Sequence, residues 1–242
     1  MIVFVLVFLI VSIIIFMVKN KIVLRIDTFF RKGFEKFDDK YGVYCFCGKQ
    51  GDGKTYSLID TLEMVRGNKK VISNVKSYYD NRKEYVIYQT DFNKIVEFLQ
   101  NSEDCTQYII FYDELFTLIE KGKLSKETLT FISQMRKRGL YLYTTVQEWL
   151  ELNITFRRYV RYQIECCMIN LPLFKCAISI NRVNDAYRMK WDNLQNEYIA
   201  PIIQTTIKKC SKEIADSYDT FEVIKTEGKL TTKWHTTFKC VT

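Results

Sequence analysis

The first eighteen residues, MIVFVLVFLIVSIIIFMV, hold no charge and a single hydroxyl, Ser12. A stretch that is apolar all round predicts a helix covered by lipid rather than by a protein core. As a helix it would extend roughly 27 Å, close to the ~30 Å of bilayer hydrocarbon. No basic residue precedes it and no small-x-small cleavage site follows, so it does not read as a secretory signal. The pattern then changes. Residues 22–37, IVLRIDTFFRKGFEKF, set Phe29, Phe30, Phe34 and Phe37 among basic residues. They predict an amphipathic helix, either lying on anionic lipid or packed on the globular domain. From residue 41 onward the apolar runs become short. GVYCFC (42–47), YIIFYDEL (108–115) and LYLYTTVQ (140–147) predict buried strands, and TYSLIDTLEMVR (55–66) predicts a helix. Residues 163–202 predict further strands with turns, which extend the sheet or form a small β-element. The tail LTTKWHTTFKC reads as a strand or an interaction segment, with His235 in a structural role. The expected organisation is a transmembrane helix over 1–18, a basic juxtamembrane segment over 19–40, a folded domain over 41–224 and a tail over 225–242.

Composition narrows the class. A chain of 242 residues accommodates one sizeable domain and an appendage, and 48% hydrophobic with 15% aromatic residues excludes a disordered chain. Nine Gly and two Pro leave no linker. The eight Cys accompany a single His, and Cys45, Cys47, Cys166 and Cys167 all lie in apolar runs. They read as core residues of a cytoplasmic chain rather than as a disulfide framework or a zinc site. Lys19, Lys21, Arg25, Arg31, Lys32, Lys36 and Lys40 follow the apolar span at once, and none precedes it. The positive-inside bias places the domain on the cytoplasmic side of an inner or cytoplasmic membrane.

The chemistry begins at CFCGKQGDGKTYS, Cys45 to Ser57, which matches G-x-x-x-x-G-K-[ST]. An apolar strand leads into this loop and a helix leaves it, which is the context a phosphate-binding loop requires. Gly48, Lys49, Gln50, Gly51, Asp52 and Gly53 would present backbone N–H groups to phosphates, with Lys54, Thr55 and Tyr56 opening the helix. Lys54 would neutralise the β- and γ-phosphates of ATP, and Thr55 would place its hydroxyl on Mg²⁺. The strand YIIFY then ends in two carboxylates. Asp113 suits the Mg²⁺ carboxylate, and Glu114 suits the base that orients an attacking water. No N-K-x-D element is present, which argues against a guanine-specific switch. A water-activating Glu114 would be counterproductive in a small-molecule kinase. Hydrolysis of ATP is the expected reaction.

Gln147 ends the third strand, where its amide would sense the γ-phosphate, align the water or simply cap the strand. Arg136, Lys137 and Arg138 precede that strand, and Arg157, Arg158 and Arg161 follow it. They read as a solvated basic face, as DNA phosphate contacts or as an arginine finger, for which Arg157 or Arg158 is the favoured candidate. The net charge of +8 is consistent with a polyanionic partner.

Taken in order, these residues resemble the FtsK/HerA group of pumping ATPases, and most closely the Zot-like assembly proteins of filamentous phages. KKVISNV (69–75) is similar to the strand ending in Asn that follows their first helix, and YIIFYDE to their metal-binding strand. QMRKRGLYLYTTVQ and ITFRRYVRY resemble their R-x-R-G, terminal Gln and hydrophobic-Arg segments. IADSYDTFEVI (214–224) is similar to a tyrosine-rich closing segment of related packaging ATPases. The resemblance covers roughly residues 42–224. It implies a RecA-like P-loop NTPase of α/β class, a mostly parallel sheet flanked by helices, here preceded by one transmembrane helix. It also implies a hexameric homo-oligomer that moves DNA in phage assembly, extrusion or packaging, with phage or secretion proteins as further partners. The apolar helix departs from the pattern, because many Zot-like proteins carry theirs after the ATPase domain. That departure favours packaging or conjugative transfer over extrusion. The alternative of another class is a nucleotide-gated membrane scaffold that does not pump.

Overall fold

The computed structural model describes residues 2–25, 41–65, 67–75, 86–120, 124–172, 176–193 and 197–218. The centre is a nine-stranded sheet. Its first six strands in spatial order run parallel: β4 (Val86–Tyr88), β3 (Lys70–Ser73), β5 (Tyr108–Tyr112), β6 (Tyr141–Val146), β2 (Gly42–Cys47) and β7 (Val160–Leu171). β8 (Cys176–Asp185) pairs antiparallel with β7, and β11 (Ile202–Lys209) pairs antiparallel with β8. β1 (Ile22–Arg25) closes the edge, parallel to β11. A separate hairpin pairs β9 (Lys190–Asp192) with β10 (Glu197–Ile199).

Both faces of the sheet are covered, which is why β2 is buried at every residue. Its period-two alternation sends Val43, Cys45 and Cys47 to one face and Tyr44 and Phe46 to the other. The first face packs under α3 (Phe92–Gln100) and α5 (Lys126–Gln134), through Phe92, Ile95, Leu99, Phe131 and Ile132. Asp91 and Ser125 cap these helices by accepting from Asn93 N–H and Thr128 N–H. The second face packs under α2 (Lys54–Val65) through Tyr56, Leu58, Ile59 and Leu62. Tyr44 bridges Tyr143 and Tyr162 with ring centroids 4.9 and 5.2 Å apart, a geometry that adds to area burial. A buried ion pair joins Lys208 of β11 to Asp60 of α2, and the Lys208 ammonium also lies over the Tyr56 ring.

Several expectations change in detail. Residues 22–25 form strand β1 and not the start of a helix, because β-branched Ile22 and Val23 complete a ladder on the open edge of β11. The sheet therefore begins inside the expected 19–40 segment. Residues 26–40, with their four Phe, lie outside the described residues, as do 219–242 with His235. In the 163–202 stretch both expected outcomes occur: β7 and β8 extend the sheet, and β9–β10 stands apart as a small hairpin.

The apolar N-terminus forms α1 (Ile2–Lys19). Its described side chains run from Phe4, which is 85% exposed, to Val18, which is 74% exposed. Among the described residues, no helix is long and apolar enough to cross a membrane. Cys45, Cys47 and Cys166 are buried free thiols, as the apolar runs imply, but Cys167, also expected in the core, is exposed because the alternation along β7 turns it to the face opposite Cys166. Burial pushes the Cys166 thiol up to about 12.

Candidate nucleotide site

The site stands where the parallel strands β2, β5 and β6 end, with β6 between the other two. β2 delivers the glycine loop, whose Gly48 N–H donates to the Gln147 carbonyl at the end of β6 (3.2 Å). The loop is a closed turn. Lys49 N–H donates to the Asp52 carboxylate (2.6 Å), and Asp52 N–H donates to the Lys49 carbonyl (3.1 Å). The Lys54 ammonium donates to the same Lys49 carbonyl (3.0 Å). Gly53 sits at φ +73°, and a Cβ there would press on the tip of the Met168 side chain, which could move aside. The left-handed φ is what favours glycine here.

Asp113 is held from three sides. Its carboxylate accepts from Thr55 Oγ1 (3.0 Å) and, through its other oxygen, from the Thr145 hydroxyl. Its own backbone is clamped by the nearly buried Asn74. Asn74 Nδ2 donates to the Asp113 carbonyl (2.9 Å), and Asp113 N–H donates to Asn74 Oδ1 (2.7 Å). Thr145 also accepts from Glu114 N–H (2.9 Å). Glu114 has φ +55°, a left-handed conformation unusual for a residue with a Cβ. Such strain collects at functional sites when neighbours enforce it, and Thr145 and Asn74 are those neighbours here.

A cavity of about 280 Å³ opens beside this cluster, lined by Lys54, Glu114, Thr117, Thr145, Gln147 and Glu151 among others. The fold thus brings together Lys54, Glu114 and Gln147, with Thr55 and Asp113 in direct contact. Tyr56 contributes no side chain to it. That ring is buried in the second core face, where its hydroxyl accepts from Ser211 N–H (2.8 Å). Arg157 and Arg158 are not brought to the site either. They close α6 (Ile154–Arg157), which carries the chain back to the start of β7, beside the start of β2. That is the end of the sheet opposite the loop. Within one chain, closeness in sequence to Gln147 does not become closeness in space.

Thr145 and Glu151 escape sequence reasoning, while Asn74 and Tyr218 lie in segments that the resemblance singled out without giving them a role. Thr145 reads as an ordinary β-former in a strand. Glu151 is the last residue of the short turn Trp149–Glu151, where it reads as the partner of Glu148 in a capping box. Asn74 lies in the strand-terminal KKVISNV, where its position alone marks it. Tyr218 lies near enough for the Asp113 charge to act on it, and burial with that charge pushes its hydroxyl up to about 12.

The donor set fits a nucleoside triphosphate with Mg²⁺. Among the described residues no cluster of three or more His, Cys, Asp or Glu exists that would cage a metal by itself. Thr55 Oγ1 and Asp113 Oδ2 are hard oxygen donors 3.0 Å apart. Mg²⁺ commonly takes one or two such protein ligands and fills the rest with phosphate oxygens and water.

No protein-family model and no curated protein matches this sequence. Structural neighbours include the N-terminal domain of zonular occludens toxin from Neisseria meningitidis. That match covers 74% of this chain and 100% of the other, at 15% identity and a TM-score of 0.46. The genome-packaging NTPase B204 from Sulfolobus turreted icosahedral virus 2, in complex with ATP-γS, matches 69% of this chain and 100% of its own. Identity is 15% and the TM-score 0.41. The flagellar accessory protein FlaH from Methanocaldococcus jannaschii matches 61% and 81%, at 12% identity and a TM-score of 0.42.

Proposed function

We propose that this chain is an ATP hydrolase of RecA-like architecture, held at a membrane by α1, that couples hydrolysis to DNA movement. One observation carries the enzymatic part: Lys54, Glu114 and Gln147 line a single cavity, and the Thr55–Asp113 pair stands next to it. Backbone N–H groups of residues 48–53 would hold the phosphates, and Lys54 would leave the Lys49 carbonyl to meet the β- and γ-oxygens. Thr55 and Asp113 would hold Mg²⁺, which when bound supplies positive charge to the phosphate oxygens. Glu114 would take the proton of the attacking water. Gln147, across the same cavity, would orient that water.

The DNA part is supported by the order of motifs, which resembles that of Zot-like proteins, and by the charge of +8. Contact would be with the backbone and independent of sequence. Packaging, extrusion and conjugative transfer all fit this reading. Membrane attachment is supported by α1, whose apolar side chains from Phe4 to Val18 stand largely exposed. Because Arg157 and Arg158 sit at the far end of the sheet, either acts as a finger only on a neighbouring copy in a ring. ATP hydrolysis by the full chain, with and without DNA, tests the proposal. Stimulation by DNA of any sequence is expected. Hydrolysis indifferent to DNA would favour the nucleotide-gated scaffold.

A further inference from the structure

The end of the sheet opposite the nucleotide site has a composition of its own. The chain leaves β8 at Asp185, makes the β9–β10 hairpin and re-enters the sheet at Ile202. Asp185 N–H closes the base of this excursion by donating to the Pro201 carbonyl (3.0 Å). The hairpin therefore protrudes from the end where the parallel strands start. It presents Trp191 at 45% exposure and Ile199 at 41%, and Tyr187, Ile202 and Ile203 beside it are also exposed. Trp191 packs edge-on against Tyr198 at 4.9 Å, and the Arg157 guanidinium lies over Tyr198 at 5.2 Å. The hairpin is thus braced against α6. Arg188 and Lys190 are exposed cations at its root, and the acidic groups there include Asp192 and Asp185, the latter nearly buried and paired with Arg188 (3.5 Å).

The apolar helix enters at this same place. α1 ends at Lys19, a two-residue turn follows, and β1 starts at Ile22 beside Thr205 of β11. Lys21 Nζ donates to the Ile202 carbonyl (2.9 Å), and Thr205 N–H donates to the Lys21 carbonyl (3.0 Å). The end of α1 is thereby tied to the foot of the hairpin. So short a tether leaves no room for the helix to sit in lipid while the hairpin stands far from the surface.

The geometry points to the β9–β10 hairpin as a second membrane contact, with Trp191 and Ile199 entering the interface of an anionic bilayer and Arg188 and Lys190 against its headgroups. The inference rests on the proposed anchoring by α1. Exposed Trp and Ile beside Lys and Arg match what an interfacial segment requires. A DNA backbone site would use the cations but would gain nothing from three exposed isoleucines and an apolar helix alongside. The nucleotide site, at the other end of every parallel strand, then faces away from the membrane.

Three tryptophans make this measurable. Trp149→Phe/Trp234→Phe in the full chain leaves Trp191 as the only tryptophan, and brominated acyl chains quench a tryptophan that reaches them. The chain is reconstituted in phosphatidylcholine vesicles with or without phosphatidylserine. Quenching of Trp191 is expected, stronger with phosphatidylserine. Arg188→Glu/Lys190→Glu should lower the hairpin's contact with the surface at least roughly tenfold while the chain still floats with the vesicles. Flotation with unquenched Trp191 overturns the inference and leaves anchoring by α1 intact. Failure to float removes both. Trp191 shielded from aqueous iodide by duplex DNA and not by vesicles also overturns it, in favour of a nucleic-acid contact.

Discussion

Glu114 holds a left-handed backbone at φ +55°, and that strain can be measured apart from its chemistry. For an L-residue this conformation costs about 1–2 kcal/mol, which glycine does not incur. Glycine in turn loses about 0.4–1 kcal/mol relative to alanine through the greater freedom of its unfolded chain. Glu114→Ala and Glu114→Gly delete the same carboxylate and the same side-chain contacts, so their difference isolates the backbone. Subtracting the two effects leaves the glycine variant more stable by roughly 1 kcal/mol, which corresponds to about 2–4 °C in Tm for a chain of this size. Thermal unfolding of both full-length variants in the same detergent, followed by circular dichroism, measures it. Hydrolysis should fall to the same low level in both. A glycine variant no more stable than the alanine variant would refute the claim that Thr145 and Asn74 force Glu114 into a strained turn.

Asn74→Ala should leave the Asp113 N–H and carbonyl without their partners, at about 1–3 kcal/mol each where solvent cannot replace them. Denaturation midpoints, together with weaker Mg²⁺-dependent nucleotide binding, check this. Lys208→Met should destabilise by about 3–5 kcal/mol because the buried Asp60 loses its counterion, whereas Lys208→Met/Asp60→Leu should recover most of the loss. Urea unfolding of the single and double variants decides it, and equal losses would mean that the pair is not what holds β11 to α2. Gly53→Ala, at a φ that costs about 1–2 kcal/mol with a Cβ, should lose nucleotide affinity roughly tenfold in equilibrium dialysis.

The readable part of the fold is the part with local causes. GVYCFC is apolar at every position because both faces of β2 are covered, and the loop after it carries its own spacing. Asp113 and Glu114 were legible as carboxylates closing an apolar strand, and Gln147 as the polar end of the next. Thr145 was not, since what makes it a site residue is the placement of β6 between β2 and β5, a pairing across distant sequence. Arg157 shows the converse, that nearness in sequence need not become nearness within one chain. It lies ten residues after Gln147 in sequence, yet the crossover through α6 takes it to the far end of the sheet. Ile22–Arg25 reads as helical in the sequence because its strand partner, β11, lies some 180 residues away. Local pattern carries no information about such an edge.

The central claim is that one cavity both binds and hydrolyses ATP, with Lys54 serving the first task and Glu114 the second. Nucleotide binding and phosphate release measured on the same preparations of the full chain, Lys54→Ala and Glu114→Gln test it directly. Glu114→Gln should bind ATP as the unaltered chain does and release phosphate ~10²-fold more slowly, the scale of a lost general base. Lys54→Ala should lose binding and release together while unfolding at an unchanged temperature. Undiminished phosphate release by either variant would contradict the account.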